Sequence, residues 1–367
     1  MSNLFPYLLP FLAALVLSYG LSFVVDKIAV QYKLMPNVRG RDSHRRPLPR
    51  IGGLAIFASF LVVSLIWFLV IDRDFHFTRM TILGVDRRLF GIWLAAFIIC
   101  ATMLIDDLKG LSAPVKLTAQ IGAALIIIAS GVGIDFISNP FGQPLNLNSI
   151  YVPIFSYHGL VYHFSLLSDL LTLVWLVGMM NVINFIDGID GLAAGTSGIA
   201  AVTILLLSIS IGQPAVALLA VILAGAALGF LPLNFHPAKI FMGDSGSMFL
   251  GLMLGVLPLI SGGKLATAFL VLGFPIVDGL VVAGSRLLRG KNPMTSPDKT
   301  HLHHRFIAAG FSVRQAVLSM YVIAALFGWV ALRSSTKTKL EAGAGLVLLL
   351  VVMIFVLAKL KVKSQKL

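Results

Sequence analysis

Apolar stretches close to 20 residues long recur along the whole of this 367-residue chain, and few architectures accept them. A helix rises about 1.5 Å per residue, so ~20 apolar residues cross the ~30 Å hydrocarbon layer of a bilayer. The runs predict spans near 4–25, 51–71, 89–105, 114–132, 166–184, 192–211, 214–232, 247–261, 265–285, 316–332 and 341–359. A large soluble core does not explain them, because no long polar sequence remains to cover one. Hydrophobic residues make up 58% of the chain and charged ones 12%, against roughly 45–50% apolar in an ordinary globular domain. The expected fold is all-α: one polytopic membrane domain over residues 1–367 with about eleven transmembrane helices.

The formal net charge of +13 does not point to nucleic acid, because the charges fall in short links between apolar spans. That is the pattern of the positive-inside rule and of anionic lipid or substrate. Loops 26–50, 106–114, 185–191, 233–247 and 286–315, with the C-terminal tail, carry about 20 of the 28 Lys and Arg, so this side is expected to be cytoplasmic. The N-terminus is then outside and the C-terminus inside, and segment 133–165 is extracytoplasmic. The aromatic and β-branched content of 133–165 allows a short hairpin or an interfacial segment, with His158 and His163 interfacial or solvated. The first span lacks a basic leader and a cleavage site, so it reads as a retained helix. Cys100, in an apolar span, reads as a small buried hydrophobe.

Unusual polar residues gather on the basic side. Asp106 and Asp107 end the third span, and Lys116 and Gln120 share a face at the start of the fourth. Asn181, Asn184, Asp187 and Asp190 end the fifth in the stretch NVINFIDGIDG, stepping by three along one drifting stripe, and Gly188 and Gly191 let the chain leave the helix. Asp244 opens the eighth span in MGDSGS, and HLHHR carries His301, His303, His304 and Arg305 after the ninth.

An Asp inside a membrane costs about 2.5–3.5 kcal/mol on insertion scales, and two adjacent ones repel, so a cation or proton is expected beside them. Carboxylates with amide oxygens suit a hard ion such as Mg²⁺, and the neighbouring cations suit an anionic substrate. Acid, metal and base together indicate phosphoryl transfer. Other readings stay open. Any single Asp here could be a helix cap, and HLHHR could hold a soft metal. Asp278, in FPIVDGL, could bond backbone freed by Pro275 or meet substrate. An ion-coupled transporter could also carry such carboxylates, although its site would lie nearer the membrane midplane.

Five stretches carry a family resemblance: PLPRIGGLAIF (47–57), LIDDLKGLSAPVKLTAQ (104–120), NVINFIDGIDGLAAG (181–195), KIFMGDSGSMFLG (239–251) and SPDKTHLHHRFIAAGFSVRQA (296–316). In that order they resemble the polyprenyl-phosphate N-acetylhexosamine-1-phosphate transferases of glycosyltransferase family 4. The histidine motif, interrupted by Leu302, looks most like the bacterial undecaprenyl-phosphate GlcNAc-1-phosphate branch. Arg41-Asp42-Ser43-His44 departs from the family's Arg-Lys-x-His by placing an acid at a basic position.

The resemblance implies transfer of GlcNAc 1-phosphate from UDP-GlcNAc to undecaprenyl phosphate with release of UMP. This would start O-antigen, common-antigen or teichoic acid synthesis at the bacterial inner membrane. UDP-MurNAc-pentapeptide or another UDP-HexNAc is the alternative donor, and a homodimer is allowed. The resemblance further implies Mg²⁺, with Mn²⁺ as a permitted substitute, held by Asn184 and Asp244. Lys116, Asn181, His301, His303, His304 and Arg305 would bind substrate. Asp187 and Asp190 would orient the metal shell or the nucleotide, and Asp106 or Asp107 would act as base or orienter for the lipid phosphate. Direct attack by the lipid phosphate is expected over an aspartyl-phosphate relay.

Overall fold

The computed structural model describes residues 4–34, 48–71, 77, 81–137, 139, 142–157, 160–261, 265–288, 290, 301–333 and 336–364. The stretch Arg41–His44, His158, and residues 291–300 lie outside them. Thirteen α-helices follow in order among the described residues: α1 (Phe5–Gln31), α2 (Gly53–Ile66), α3 (Arg87–Lys109), α4 (Ala113–Ala129), α5 (Leu166–Ile186), α6 (Leu192–Ser210), α7 (Pro214–Asn234), α8 (Gly243–Ile260), α9 (Leu265–Val271), α10 (Gly273–Leu288), α11 (Leu302–Ala308), α12 (Val313–Arg333) and α13 (Thr336–Ser364). Eight of these are long and apolar enough to cross a membrane: α1, α2 with its π-helical extension to Ile71, α3, α5, α6, α7, α8 and α12. The apolar parts of α4 and α13 are shorter. The chain is a multi-pass membrane protein.

The eleven expected spans are helical, but not all as single rods. The segment 265–285 is divided at Leu272 into α9 and α10. Pro275 explains the division, because its ring and missing N–H fit the first turn of a helix and not its interior. The short α4 starts with Pro114 in its first turn, after Ser112.

Helix α8 is the centre of the bundle and α1 its rim: 89% of the most apolar window of α8 is buried, against 28% for α1. Small residues allow the central helices to touch backbone to backbone. A Cβ at Gly225 or Gly229 of α7 would strike the carbonyls of Phe11 and Leu15 in α1, and the Ser18 hydroxyl donates to the Ala226 carbonyl at 2.7 Å. On α8, a Cβ at Gly251 would lie 2.6 Å from the Met179 carbonyl oxygen of α5. Close approach of this kind supplies packing where lipid removes the hydrophobic drive between helices.

Strands occur only in the links at the end opposite the polar clusters, among the described residues. The segment 133–165 forms β3 (Phe136–Ile137) with β4 (Leu145–Asn146) and the antiparallel hairpin β5 (Tyr151–Tyr157) with β6 (Leu160–Ser165), in agreement with the hairpin reading. The pair β1 (Thr81–Ile82) and β2 (Val85–Asp86) precedes α3, whose N-terminus is capped by the Asp86 carboxylate accepting from Arg88 N and Leu89 N. Helices therefore run up and down so that the ends of α3, α5, α7 and α10 meet the starts of α2, α4, α6, α8 and α12 at one end of the bundle.

Candidate active site

That end holds two polar clusters, with the turn between α5 and α6 lying between them. The first is acidic. Asp106 and Asp107 come from the last turn of α3, Lys116 from the first turn of α4, Asn184 from the last turn of α5, and Asp244 from the first turn of α8. The Lys116 ammonium bridges Asp106 Oδ2 at 2.5 Å and Asp244 Oδ2 at 2.8 Å. Asn184 Nδ2 donates to Asp244 Oδ1 at 3.0 Å and to Ser247 Oγ at 2.9 Å. Side chains of α3, α4, α5 and α8 thus meet around Lys116 and Asp244.

Asp106 and Asp107 are adjacent but differently used. Asp106 Oδ1 accepts from Leu111 N at 2.6 Å, closing the α3–α4 link under Lys116. Asp107 accepts from Asp244 N at 2.8 Å and Ser245 N at 3.0 Å, so it caps α8, where free amides and the helix dipole favour an anion. Gly243 makes this approach practicable. Its φ is +75°, and a Cβ there would strike the Arg50 carbonyl and lie 2.7 Å from Asp107 Oδ2.

Asp106, Asp107 and Asp244 each offer an oxygen within 4.8 Å of the others. All three donors are hard carboxylate oxygens, and three carboxylates against one ammonium leave negative charge for a divalent cation to balance. Lys116 stands between two of them as a cation already does. The donor set therefore fits Mg²⁺, with Asn184 orienting Asp244 through its amide.

The expected polar stripe is divided by the end of α5. Asn181 and Asn184 sit on the helix, while Asp187 is its C-cap and Asp190 lies in the following turn. Asn181 pairs with Gln120, its Nδ2 donating to Oε1 at 2.8 Å, and so joins α5 to α4 beside the cluster. Asp187 is half-buried, and its carboxyl is raised well above the ordinary range by burial and by the charges of Asp244, Asp107 and Asp190, with Arg50 acting in the opposite direction. Asp190 is engaged elsewhere: its Oδ2 meets His236 Nδ1 at 2.7 Å and the Ala238 amide at 3.1 Å.

Asn234 and Tyr321 complete this anchorage and were not among the sequence candidates. Asn234 accepts from Gly191 N at 3.1 Å and donates to the Ile240 carbonyl at 3.1 Å, while the Tyr321 hydroxyl donates to the Gly191 carbonyl at 2.6 Å. Asn234 and His236 in the stretch LNFHPAK interrupt an apolar span as the four candidates in NVINFIDGIDG do, so that same signal could have found Asn234, whereas Tyr321, on an apolar helix, carries no such signal.

The second cluster is basic. His301 precedes α11 and His303, His304 and Arg305 lie on it. His301 and His303 stack with ring centroids 5.6 Å apart at 7°, and His303 and His304 are tilted at 4.3 Å. His303 is 1% exposed, and neither ring nitrogen has a hydrogen-bond partner among the described residues. Burial and the neighbouring His304 and His301 push its pKa well below the usual histidine value. It packs against the α5–α6 turn, where a Cβ at Gly188 would lie 2.7 Å from His303 Nε2. His304 and Arg305 are half-exposed. The structure therefore joins Asp106, Asp107, Lys116, Asn184 and Asp244 directly, brings Asn181 and Asp187 beside them, and places the histidine group across the turn that contains Asp190.

Residues 89–262 match the model of glycosyl transferase family 4, a span that contains the whole acidic cluster. The chain is 34% identical to a probable undecaprenyl-phosphate N-acetylglucosaminyl 1-phosphate transferase of Bacillus subtilis, over 85% of this chain and 81% of the relative. It is 34% identical to a decaprenyl-phosphate N-acetylglucosaminephosphotransferase of Mycolicibacterium smegmatis, over 87% and 80%. It is 29% identical to a phospho-N-acetylmuramoyl-pentapeptide-transferase of Staphylococcus aureus, over 88% and 97%.

Proposed function

Because the chain belongs to glycosyl transferase family 4, we propose that it transfers N-acetylglucosamine 1-phosphate from UDP-GlcNAc to undecaprenyl phosphate and releases UMP. The general activity, a polyprenyl-phosphate sugar-1-phosphate transferase, follows from the relatives. The choice of GlcNAc is supported by the names of the Bacillus and Mycolicibacterium relatives and by the histidine motif interrupted at Leu302. The observation that carries the reading is the convergence of Asp106, Asp107 and Asp244 around Lys116 at one end of an apolar bundle. A lipid phosphate approaching along the membrane and a soluble nucleotide approaching from water can meet only at such an end. The bias of Lys and Arg toward the loops at that end supports reading it as the cytoplasmic one.

In the reaction an oxygen of the lipid phosphate attacks the β-phosphorus of the UDP-sugar. The bond from that phosphorus to the bridging oxygen breaks, and its electron pair leaves with UMP. A phosphate monoester has its second pKa near 6, so the attacking oxygen is largely ionised at pH 7 and needs orientation more than deprotonation. Asp106, Asp107 and Asp244 would hold Mg²⁺, which when bound supplies charge neutralisation for the diphosphate and the departing UMP. Lys116 presents an ammonium to the same oxygens as a point charge. Asn184 orients Asp244 through its amide, and Asp187, at the end of α5 beside them, would orient the metal shell or the nucleotide.

Direct attack is favoured over an aspartyl-phosphate relay. Both substrates can be bound at this end of the bundle at once, so no covalent carrier is needed between them. Purified protein with Mg²⁺, labelled UDP-GlcNAc and undecaprenyl phosphate should release UMP only when the lipid is present. Ping-pong kinetics, or a labelled enzyme formed without lipid, would overturn direct attack. Preference for UDP-MurNAc-pentapeptide would overturn the sugar assignment. No release from any UDP-HexNAc, with uptake into liposomes, would replace the transferase by a transporter.

A further inference from the structure

Asp278 lies on α10, is not one of the carboxylates grouped around Lys116, and is 1% exposed. A carboxylate so placed in an apolar helix is costly unless fully bonded. Both of its oxygens are used, and both reach the same point across the gap between α10 and α11. Oδ2 meets His301 Nδ1 at 2.9 Å, and Oδ1 accepts from the Leu302 amide at 2.8 Å. It therefore does not bond the backbone released by Pro275. It ties the first histidine of HLHHR, by ring and by main chain, to a membrane helix.

A carboxylate oxygen only accepts, so the imidazole nitrogen facing it must carry the proton. Nδ1 of His301 is then N–H in the neutral ring as in the cation, and Nε2 alone is free to meet another group. The ring is held on further sides. It lies parallel to His303 and 6.0 Å from Phe185 at the end of α5, and Phe185 carries the Arg286 guanidinium 5.8 Å above its own ring.

We propose that Asp278 is a positioning residue for the transfer: it sets the tautomer and orientation of His301, so that Nε2 is the atom His301 turns to the UDP-sugar. This rests on reading the histidine segment as part of the donor site. Asp278 itself touches no substrate and acts through His301, as a carboxylate behind a metal-bound histidine does in other sites.

The test has one arm on the native protein and one on variants. In ¹⁵N-histidine-labelled native protein, with the His301 signals assigned by their loss in His301→Gln, Nδ1 should carry the proton in the neutral state. An Nε2–H tautomer would overturn the proposal whatever the variants do. Asp278→Asn is the second arm. Its oxygen can still serve the Leu302 amide, but its N–H₂ then faces Nδ1 and forces the proton to Nε2. The variant should show that reversal and a rise of about 10–100-fold in KM for UDP-GlcNAc, with KM for undecaprenyl phosphate unchanged.

In the His301→Gln background, Asp278→Asn should add little further loss. Unchanged kinetics, or equal losses with and without His301, would overturn the proposal. Should Asp278→Asn fail to fold, the native tautomer still decides. Should native protein release no UMP from UDP-GlcNAc and lipid, the proposed reaction falls, while the tautomer measurement still stands on its own.

Discussion

Single side chains at the site end do separable work. Asp244 accepts from Asn184, pairs with Lys116 and offers an oxygen to the same space as Asp106 and Asp107. Asp244→Ala should cut lipid-dependent UMP release by about 10³-fold or more, the scale expected for losing one part of a charge-stabilising phosphoryl-transfer site. The protein should still elute as a folded species, and near-native turnover would contradict the role. His303 makes a different prediction. Its folded pKa is depressed, so the unfolded chain takes up the proton first as pH falls. The stability associated with its neutral form is complete above the ordinary histidine value of about 6.5 and is lost as pH drops below it. Thermal melting of the native protein should therefore weaken from pH 7 to pH 5. His303→Leu should flatten that slope, since it removes two buried nitrogens that have no hydrogen-bond partner among the described residues. An unchanged slope would show that another group sets it.

At the scale of elements, glycine decides which helices touch. Gly225 and Gly229 let α7 lie on the backbone of α1. Gly229→Leu should push the two helices apart and cost about 1–3 kcal/mol, read as a lower melting temperature in detergent. The helix pattern was legible in the sequence, since continuous apolar runs of membrane length admit little else. The broken segment was less so: hydropathy averages over 265–285, whereas Pro275 and Gly273 act on individual backbone bonds. The end of α5 was legible, since Gly188 and Gly191 mark where the helix stops, but what anchors the turn after it was not. Asn234 and Tyr321 hold Gly191 from more than 40 positions away, so only packing shows how the turn bearing Asp187 and Asp190 is fixed.

Across the whole molecule, the acidic and histidine clusters share one end, and the hairpin of β5 and β6 lies at the other. The proposed reaction needs the first end in the cytoplasm, the side that the basic loops favour under the positive-inside rule. Cys100 is 1% exposed and should stay silent to an impermeant thiol reagent, so the native chain already serves as the background. Lys109→Cys should be labelled only from the cytoplasmic side of oriented vesicles, and Tyr151→Cys only from the other side. Labelling in the reverse sense would invert the topology and detach the site from a cytoplasmic nucleotide.

The residue order by itself determined that the chain enters a membrane, where its helices lie, and which few polar residues stand at cost among apolar neighbours. Those are local properties of hydropathy, spacing and charge. Which of these residues meet was decided only by the tertiary structure. Asp107 became the cap of α8, Asp190 the partner of His236, Asp278 the holder of His301, and Asp106 with Asp244 the two hands on Lys116. All but the Asp106–Lys116 pairing join residues more than 20 positions apart, and a buried charge takes whatever partner packing brings within about 3 Å. Composition and spacing say that a partner must exist; only the packed helices say which one it is.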